Sequence, residues 1–263
     1  MNHDDVVTAI EAAQWDFEPE LSIPGVYEIR TDVLCLRISE ASTSPLANKV
    51  VKSVFTEDVD RRIDEVFSMY QAHDRPFSWW VGPNSRPADL RNRLERRGMR
   101  VEDEYVGLAL STEEYAPRPV TSKWVVADAV SDEQLHGHAL VSSVVWNLDP
   151  ASTKTAVNER RRYVDFSHRR GGYLVVRDGE KYVGNASYRV SADGQTMYLI
   201  GGAVLAEYRR QGVYRAMVEH RLEMAKQHGC VLATTQARVG TSDPILRHFG
   251  FAEHGRFFMM MKR

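Results

Sequence analysis

Residues 204–214 read Val-Leu-Ala-Glu-Tyr-Arg-Arg-Gln-Gly-Val-Tyr, and they decide the fold because they join segments of different periodicity. An apolar, strand-like run from 197 to 205 leads into them. After Gly212 the apolar residues recur every three or four positions, which predicts a helix. A helix that starts directly after a strand has backbone N–H groups without partners, and its dipole adds partial positive charge there. The stretch therefore predicts an anion cradle whose natural ligand is a pyrophosphate.

The flanking sequence predicts a regular order of elements around this turn. Ser131 and Gln134 have the spacing of a capping box, and an arginine-rich helix and a hairpin at Asp178-Gly179 follow. Downstream, the helix after Gly212 ends at Gly229, a β-prone run follows, and a short helix leads into a last apolar strand. The predicted order is therefore two helices, a hairpin, the strand that leads into the cradle and the helix after it, and then strand, helix and strand.

This order and its turn resemble the GNAT acyltransferase superfamily over roughly residues 120–263. The dinucleotide fingerprint and the Walker loop are both missing from the turn. Arg209 and Gly212 instead match the Arg-x-x-Gly spacing of the GNAT coenzyme A loop, whose amides hold the coenzyme A pyrophosphate. Tyr214 stands where that family usually has Gly or Ala. The resemblance implies an α/β fold with a mixed central sheet flanked by helices, the GNAT-like acyl-CoA N-acyltransferase fold.

The resemblance also implies which residues bind the two substrates. Backbone groups at the strand end would meet the acetyl and pantetheine arm, and the turn would hold the pyrophosphate. The residues that match the coenzyme A site are Ala203, Val204, Leu205, Arg209, Arg210, Gln211, Gly212, Val213, Tyr214 and Arg215. The candidates for the acceptor pocket are Trp146, Asp149 and Tyr188. Asp149 has an alternative role as the cap of the following helix.

The residues that usually assist GNAT catalysis are missing here. Many members have a tyrosine acid and an asparagine where this chain has Leu246 and Val239. The remaining candidates for acid or base are Glu207, Tyr198 and His248. Each also has a structural reading: Glu207 as a solvated turn residue, His248 as a surface histidine, and Tyr198 on the far face of the sheet. Either another residue supplies the acid, or a coenzyme A thiolate leaves without one.

The first 115 residues repeat the order of the C-terminal segment, with strand, helix, strand, helix and strand over 49–110. The turn at 55–60 lacks glycine and places carboxylates where a phosphate would lie. We therefore expect a tandem arrangement. A degenerate GNAT-like domain would span 1–115, a proline-containing linker 116–119 and a GNAT acetyltransferase domain 120–263. The alternative for the first part is an unrelated α/β subdomain.

Composition limits the partners. The net charge is −2 without a basic block, which does not favour nucleic acid. No apolar run approaches the ~20 residues of a membrane span and the start does not resemble a signal peptide, so we expect a cytoplasmic protein away from membranes. His136 and His138 lie two apart on a predicted helix and do not share a face, so no metal site is expected. A homodimer is left open.

Together these points predict an N-acetyltransferase with acetyl-CoA as donor. It would move the acetyl group to the amine of a small molecule or peptide by direct attack in a ternary complex. Two other readings stay open at this stage: a non-catalytic acyl-CoA-binding or regulatory module, and a structural protein that has kept only the fold. The missing tyrosine and asparagine favour the regulatory module.

Overall fold

The structure is a computed structural model that describes residues 1–116 and 123–262. These residues form one eleven-stranded mixed sheet with helices on both faces. In chain order the elements are α1 (His3–Ala12), β1 (Val26–Arg30), β2 (Leu34–Ser39), β3 (Lys49–Ser53), α2 (Val59–Ala72), β4 (Ser78–Val81), α3 (Leu90–Arg96), β5 (Met99–Ser111), β6 (Val126–Asp128), α4 (Asp132–Trp146), α5 (Pro150–Asp165), β7 (Gly171–Asp178), β8 (Lys181–Val190), β9 (Thr196–Val204), α6 (Val213–Gln227), β10 (Leu232–Arg238), α7 (Asp243–His248) and β11 (Ala252–Lys262).

The strand order is β1-β2-β3-β4-β11-β5-β10-β9-β8-β7-β6. The last strand of each half therefore lies beside the other half: β11 pairs with β4, and β5 pairs with β10. Between them β5 and β11 form a long antiparallel pair at the centre of the sheet. We call residues 1–116 the N-terminal lobe and residues 123–262 the C-terminal lobe. Each lobe is completed by a strand of the other.

The helices divide between the two faces. One face carries α1, α4 and α5, as the contacts of Tyr198 with Asp16 and of Ser187 with His138 indicate. The other face carries α2 and α3 in the N-terminal lobe and α6 and α7 in the C-terminal lobe, each over its own apolar cluster. Trp79 and Trp80 point to opposite faces, as strand alternation requires.

Local predictions are confirmed. The Ser131–Gln134 capping box is complete in both directions, and Gly179 turns the hairpin between β7 and β8 with φ +58°. The N-terminal lobe repeats the C-terminal order, with β3-α2-β4-α3-β5 against β9-α6-β10-α7-β11. Of the predicted linker, Ala116 is described, whereas residues 117–119 lie outside the described residues. The domain boundary stays a prediction.

Helix α1 was not anticipated. Asn2 accepts a hydrogen bond from the Asp5 N–H, and the Asp5 carboxylate accepts one from the Asn2 N–H, which starts the helix. Val6 and Ile10 then pack on the centre of the sheet, beside Phe257 of β11. Within the described residues, no helix is both long enough and apolar enough to cross a bilayer.

Candidate active site

The two neighbouring parallel strands β9 and β10 separate part way along their length. They pair from Thr196 to Tyr198 and then diverge. At the point of divergence the Thr235 hydroxyl donates to the Leu199 carbonyl at 2.8 Å. Beyond it, the edge of β9 that faces β10 has no backbone pairing in the described part of the chain. The result is a V-shaped gap in the middle of the C-terminal lobe.

Strand β9 is irregular inside this gap. Its register against β8 shifts where Asn185 pairs with Ala203 and Ser187 with Ile200, and Gly201 and Gly202 fill the shift with positive φ. Beyond it, the Leu205 N–H donates to the Val183 carbonyl. Since alternate residues of an antiparallel strand point their N–H groups in opposite directions, the Val204 N–H faces the gap. The irregularity lies at 201–202, a few residues before the strand end where the sequence suggested it.

The turn after β9 is held by three hydrogen bonds that side chains donate to backbone carbonyls. A single 3₁₀ turn at Ala206–Tyr208 is followed by Arg210 and Gly212, whose φ angles are 61° and 86°. The Gln211 side chain donates to the Glu207 carbonyl at 2.8 Å, and the Trp124 indole donates to the Gln211 carbonyl at 2.7 Å. Arg209 Nε donates to the Val204 carbonyl at 3.3 Å. These contacts fix the loop against the sheet.

The start of α6 presents uncovered amides. The first N–H of the helix that donates to a carbonyl of the turn is that of Ala216, to Gly212 at 2.9 Å. Among the described residues, nothing caps the helix at Gly212, and the backbone N–H groups of residues 212–215 have no acceptor. The first turn contains no acidic residue, and Gln211 and Gly212 are exposed. The end of a 15-residue helix therefore carries partial positive charge with no anion to offset it.

Two side chains seat α6 on the sheet below the turn. Val213 is buried against Gly184, where an added Cβ would lie 2.7 Å from Val213 Cγ1. The Tyr214 ring lies against Gly202, where an added Cβ would be 2.9 Å from the ring. Burial raises the pKa of Tyr214, although Arg221 and Ser242 act against it. Tyr214 therefore points into the lobe, away from the exposed surface of the turn.

Arg221 of α6 belongs to this site although sequence reasoning missed it. Its side chain is only 1% exposed, and its Nη1 donates to the carbonyls of Ser187 at 3.2 Å and Gly201 at 3.3 Å. The guanidinium therefore ties β8 to the irregular part of β9. The sequence does contain a signal for this burial: Arg221 lies three residues after Val218, which places it on the buried side of the predicted helix.

The predicted acceptor residues are only partly brought together. Trp146 is 43% exposed at the end of α4, and its ring would lie 3.9 Å from a Cβ added at Gly201. Asp149 follows in the same loop and caps α5 by accepting from the Ser152 N–H at 2.8 Å and from the Ser152 hydroxyl. Tyr188 packs with the apolar clusters under α6, on the other face of the sheet. It is therefore not a neighbour of the other two.

The predicted acid and base candidates are dispersed. Glu207 is exposed and pairs with Lys181 at 2.7 Å, and this hydrogen bond lowers its pKa. Tyr198 lies in the face under α1, where its hydroxyl donates to Asp16 at 2.9 Å and burial raises its pKa. His248 is exposed at the end of α7. The structure thus does not assemble these three groups into one constellation, and their roles stay predictions.

Comparison with known proteins agrees with this geometry. Residues 143–251 match the acetyltransferase (GNAT) family model, which covers α5 to α7 and the whole V-shaped gap. No curated protein sequence matches the chain.

Solved structures share the fold over the full length. A GCN5-related N-acetyltransferase from Kribbella flavida has a TM-score of 0.69 at 16% identity, covering 99% of this chain and 95% of that one. A tandem GNAT protein from the clavulanic acid biosynthesis pathway has a TM-score of 0.63 at 14% identity, covering 98% and 92%. A GCN5-related N-acetyltransferase from Sphaerobacter thermophilus has a TM-score of 0.58 at 11% identity, covering 100% and 93%. At these identities the likeness concerns the fold alone.

Proposed function

We propose, from the match of residues 143–251 to the acetyltransferase (GNAT) family model, that the chain transfers an acetyl group from acetyl-CoA to an amine. The observation that carries the proposal is the row of uncovered amides at residues 212–215, next to the V-shaped gap. A pyrophosphate at the helix start would accept hydrogen bonds from these amides and offset the partial charge of the helix. The exposed Arg209, Arg210 and Gln211 lie beside it and would add further donors.

The gap would take the pantetheine arm and the thioester. An unpaired strand edge offers backbone donors and acceptors, which an extended amide-containing arm can pair with as an added strand would. The Val204 N–H faces this space and would polarise the thioester carbonyl as negative charge develops on its oxygen. Arg221 holds the preceding irregularity from behind through the Ser187 and Gly201 carbonyls, which keeps this donor in place.

Acetyl transfer then needs little from the protein beyond positioning. The amine nitrogen forms a bond to the thioester carbon, the carbon–sulfur bond breaks and the amine proton passes to water. Neither Tyr198, with its raised pKa, nor Glu207, with its lowered pKa, is matched to proton transfer near neutral pH. We therefore propose that the thiolate leaves without a protein acid and that the rate depends on alignment of the amine with the thioester.

The regulatory-module reading is favoured by one specific observation. Leu246, at the position of the usual tyrosine, is 1% exposed and part of the apolar core between α6 and α7, so no group there can replace the missing hydroxyl. Such a module would bind acetyl-CoA in the same way and turn nothing over.

Calorimetry followed by kinetics separates the readings. Acetyl-CoA is titrated into the protein first, and thiol release is then followed over a panel of amines. Binding with turnover supports the acetyltransferase. Binding without turnover of any amine favours the regulatory module, and no binding of acetyl-CoA leaves only the structural reading.

A further inference from the structure

Four cationic side chains from both lobes meet on the face of the sheet that carries α1, α4 and α5. Arg37 and Lys49 are direct partners on the neighbouring strands β2 and β3. Arg189 lies on β8. Arg160 lies on α5, and its guanidinium is placed over the ring of Tyr173. We call Arg37, Lys49, Arg160 and Arg189 the inter-lobe cationic cluster.

Two members of the cluster have carboxylate partners. Arg37 pairs with Glu159 at 2.8 Å. Arg189 is 8% exposed and lies 3.7 Å from Glu18, which also accepts from the Tyr163 hydroxyl and the Arg170 N–H. Burial raises the pKa of Glu18, but these hydrogen bonds outweigh it and the net pKa is lowered, so Glu18 is ionised. Two charges of the cluster are thus compensated.

The other two members have no such partner. Lys49 donates to the amide oxygen of Gln14 at 2.7 Å, and Arg160 Nε and Nη1 are buried without a hydrogen-bond acceptor; neither residue forms an ion pair within the described ranges. Burial, with Arg37 and Arg189 adding to it, lowers the pKa of Lys49 to about 8, and Glu28 opposes this only in part. The cluster therefore has an excess of positive charge.

An uncompensated buried guanidinium is strongly unfavourable in proteins, and arginine cannot avoid this cost by losing its proton. A structure that gathers such charges from two lobes is most simply explained by an anion that binds between them. Buried donors without acceptors have the same explanation, because the oxygens of a carboxylate or phosphate accept hydrogen bonds from guanidinium N–H groups.

The cluster lies on the side from which an acceptor would approach. Tyr173, Ser187 and Ile200 are cross-strand neighbours on β7, β8 and β9 and share this face. Ile200 directly precedes the irregular part of β9 that Trp146 approaches. A continuous row of side chains on this face thus leads from Tyr173, whose ring lies under Arg160, to Ile200, next to the part of β9 where the thioester would lie.

We propose that the acceptor amine carries a carboxylate or phosphate group, which binds to Arg160 and Lys49 of the inter-lobe cationic cluster. The inference rests on the proposed acetyltransferase function and specifies its substrate class. Both lobes then contribute to acceptor binding, although only the C-terminal lobe binds the donor.

Matched pairs of amines test the substrate class. Amino acids are compared with their carboxamides, and phosphoethanolamine with ethanolamine, at saturating acetyl-CoA. We expect kcat/KM for the anionic member to be higher by about 10- to 100-fold, as for a charge-assisted bidentate contact. The amino acid pairs report on a carboxylate and the other pair on a phosphate. Equal rates within every pair would overturn the proposal.

Two substitutions locate the site. Arg160→Met and Lys49→Met remove the charges, and Arg162→Met is the matched control, since Arg162 is exposed on the same helix. In each cluster variant we expect KM for the anionic amine to rise by about 10-fold or more while kcat is retained. The ratio of kcat/KM between the anionic amine and its neutral partner should therefore fall. Because a buried unpaired charge is removed, both variants are expected to fold with an unchanged or higher Tm. An undiminished preference in both variants contradicts the assignment.

A binding measurement keeps this inference separate from the proposed function. Anionic amines and inorganic phosphate are tested without acetyl-CoA for a rise in Tm of the intact protein. A rise that Arg160→Met and Lys49→Met abolish and Arg162→Met retains supports the anion site even if no amine is acetylated. If no anion raises the Tm of the unmodified protein, the anion site is refuted, whatever the outcome with acetyl-CoA.

Discussion

The two lobes have the same order of elements around a parallel strand pair, but only one keeps the gap between them open. In the N-terminal lobe β3 and β4 pair at Lys49 and Val50 and then diverge, as β9 and β10 do. The chain after β4 returns into that gap, where the Arg86 N–H donates to the Ser53 carbonyl at 2.9 Å and the Phe55 N–H donates to the Arg86 carbonyl. The edge that is unpaired in β9 is thus occupied in β3 by the lobe's own backbone.

The helix starts differ in charge as well. Asp58 begins α2 with φ 50°, where Gly212 begins α6 with φ 86°. Asp60 in the first turn of α2 forms ion pairs with Arg93 and Arg97. The anion that this helix start attracts is therefore supplied by its own side chains. The comparison teaches that a lobe can keep the order of elements that surrounds the proposed donor site while its own backbone fills the gap and its own carboxylates lie at the helix start.

The largest expected effect concerns the independence of the lobes. Residues 1–116 expressed alone lack β11, which leaves β4 and β5 without their shared neighbour. The apolar side chains of the N-terminal lobe that pack against Phe257 and Met260 of β11 become exposed. Loss of these contacts, worth about 2 kcal/mol for each large side chain, exceeds what a lobe of this size can spare. We expect no cooperative thermal transition by circular dichroism.

The control is the full chain cut once by a protease site inserted within 117–122. The two pieces should remain associated and melt as one unit. A cooperative transition in the isolated first piece would show that the lobes are independent after all.

The second largest effect is expected when the residues that begin α6 and α2, Gly212 and Asp58, are exchanged. Gly212→Asp gives α6 the residue that begins α2, and an aspartate tolerates positive φ better than most side chains. Its carboxylate would occupy the uncovered amides, so we expect acetyl-CoA to bind on the order of 100-fold more weakly, or about 2.7 kcal/mol. Calorimetry measures the loss and circular dichroism checks the fold. Asp58→Gly, the reciprocal change, should create no second site, and unchanged affinity in Gly212→Asp would refute the loop assignment.

A buried histidine adds acid sensitivity to the C-terminal lobe, because α4 buries His138 whereas α2, which contains no histidine, has no counterpart of it. Burial, with Arg160 adding to it, lowers the pKa of His138 to about 3. Since the folded pKa lies below the unfolded value of about 6.5, the unfolded chain takes up the proton first and stability falls as the pH drops below that value. At pH 5 the loss relative to pH 7 is about 2 kcal/mol.

Urea denaturation from pH 7 to pH 4 measures this slope. His138→Gln should flatten it, whereas His136→Gln, an exposed residue on the same helix, should leave it unchanged. An identical slope in all three proteins would place the acid sensitivity elsewhere.

The smallest expected effect concerns the hydrogen bond that supports the turn after β9, where the pyrophosphate of acetyl-CoA is proposed to bind. Trp124→Phe removes the indole N–H that holds the Gln211 carbonyl at 2.7 Å and keeps most of the ring packing. A hydrogen bond of about 1 kcal/mol corresponds to acetyl-CoA binding that is weaker by about 5-fold. Trp80→Phe is the matched change in the N-terminal lobe, where the indole donates to Ser78. It should not alter the dissociation constant, and an equal effect of both would argue against a specific role of Trp124.

Features with local signals could be predicted from the sequence. Gly212 and the periodic helix after it, the capping box at Ser131 and the turn at Gly179 depend on residues a few positions apart. The placement of β11 between β4 and β5 could not be predicted, because both its neighbours are apolar strands that would pair equally well with another strand. The buried charges of Arg160 and Arg221 were missed for the same reason: their surroundings come from distant segments.

The position of β11 has a consequence for synthesis. A ribosome makes the N-terminal lobe first, and most chains of this kind fold their first lobe while the rest is still being made. Here the strand that lies between β4 and β5 is made more than 140 residues after β5, so β4 has no partner on that side until residues 252–262 have been synthesised. The sheet of the N-terminal lobe is thus incomplete until β11 has been made, and nascent chains that stop before it expose an apolar strand edge to chaperones and proteases.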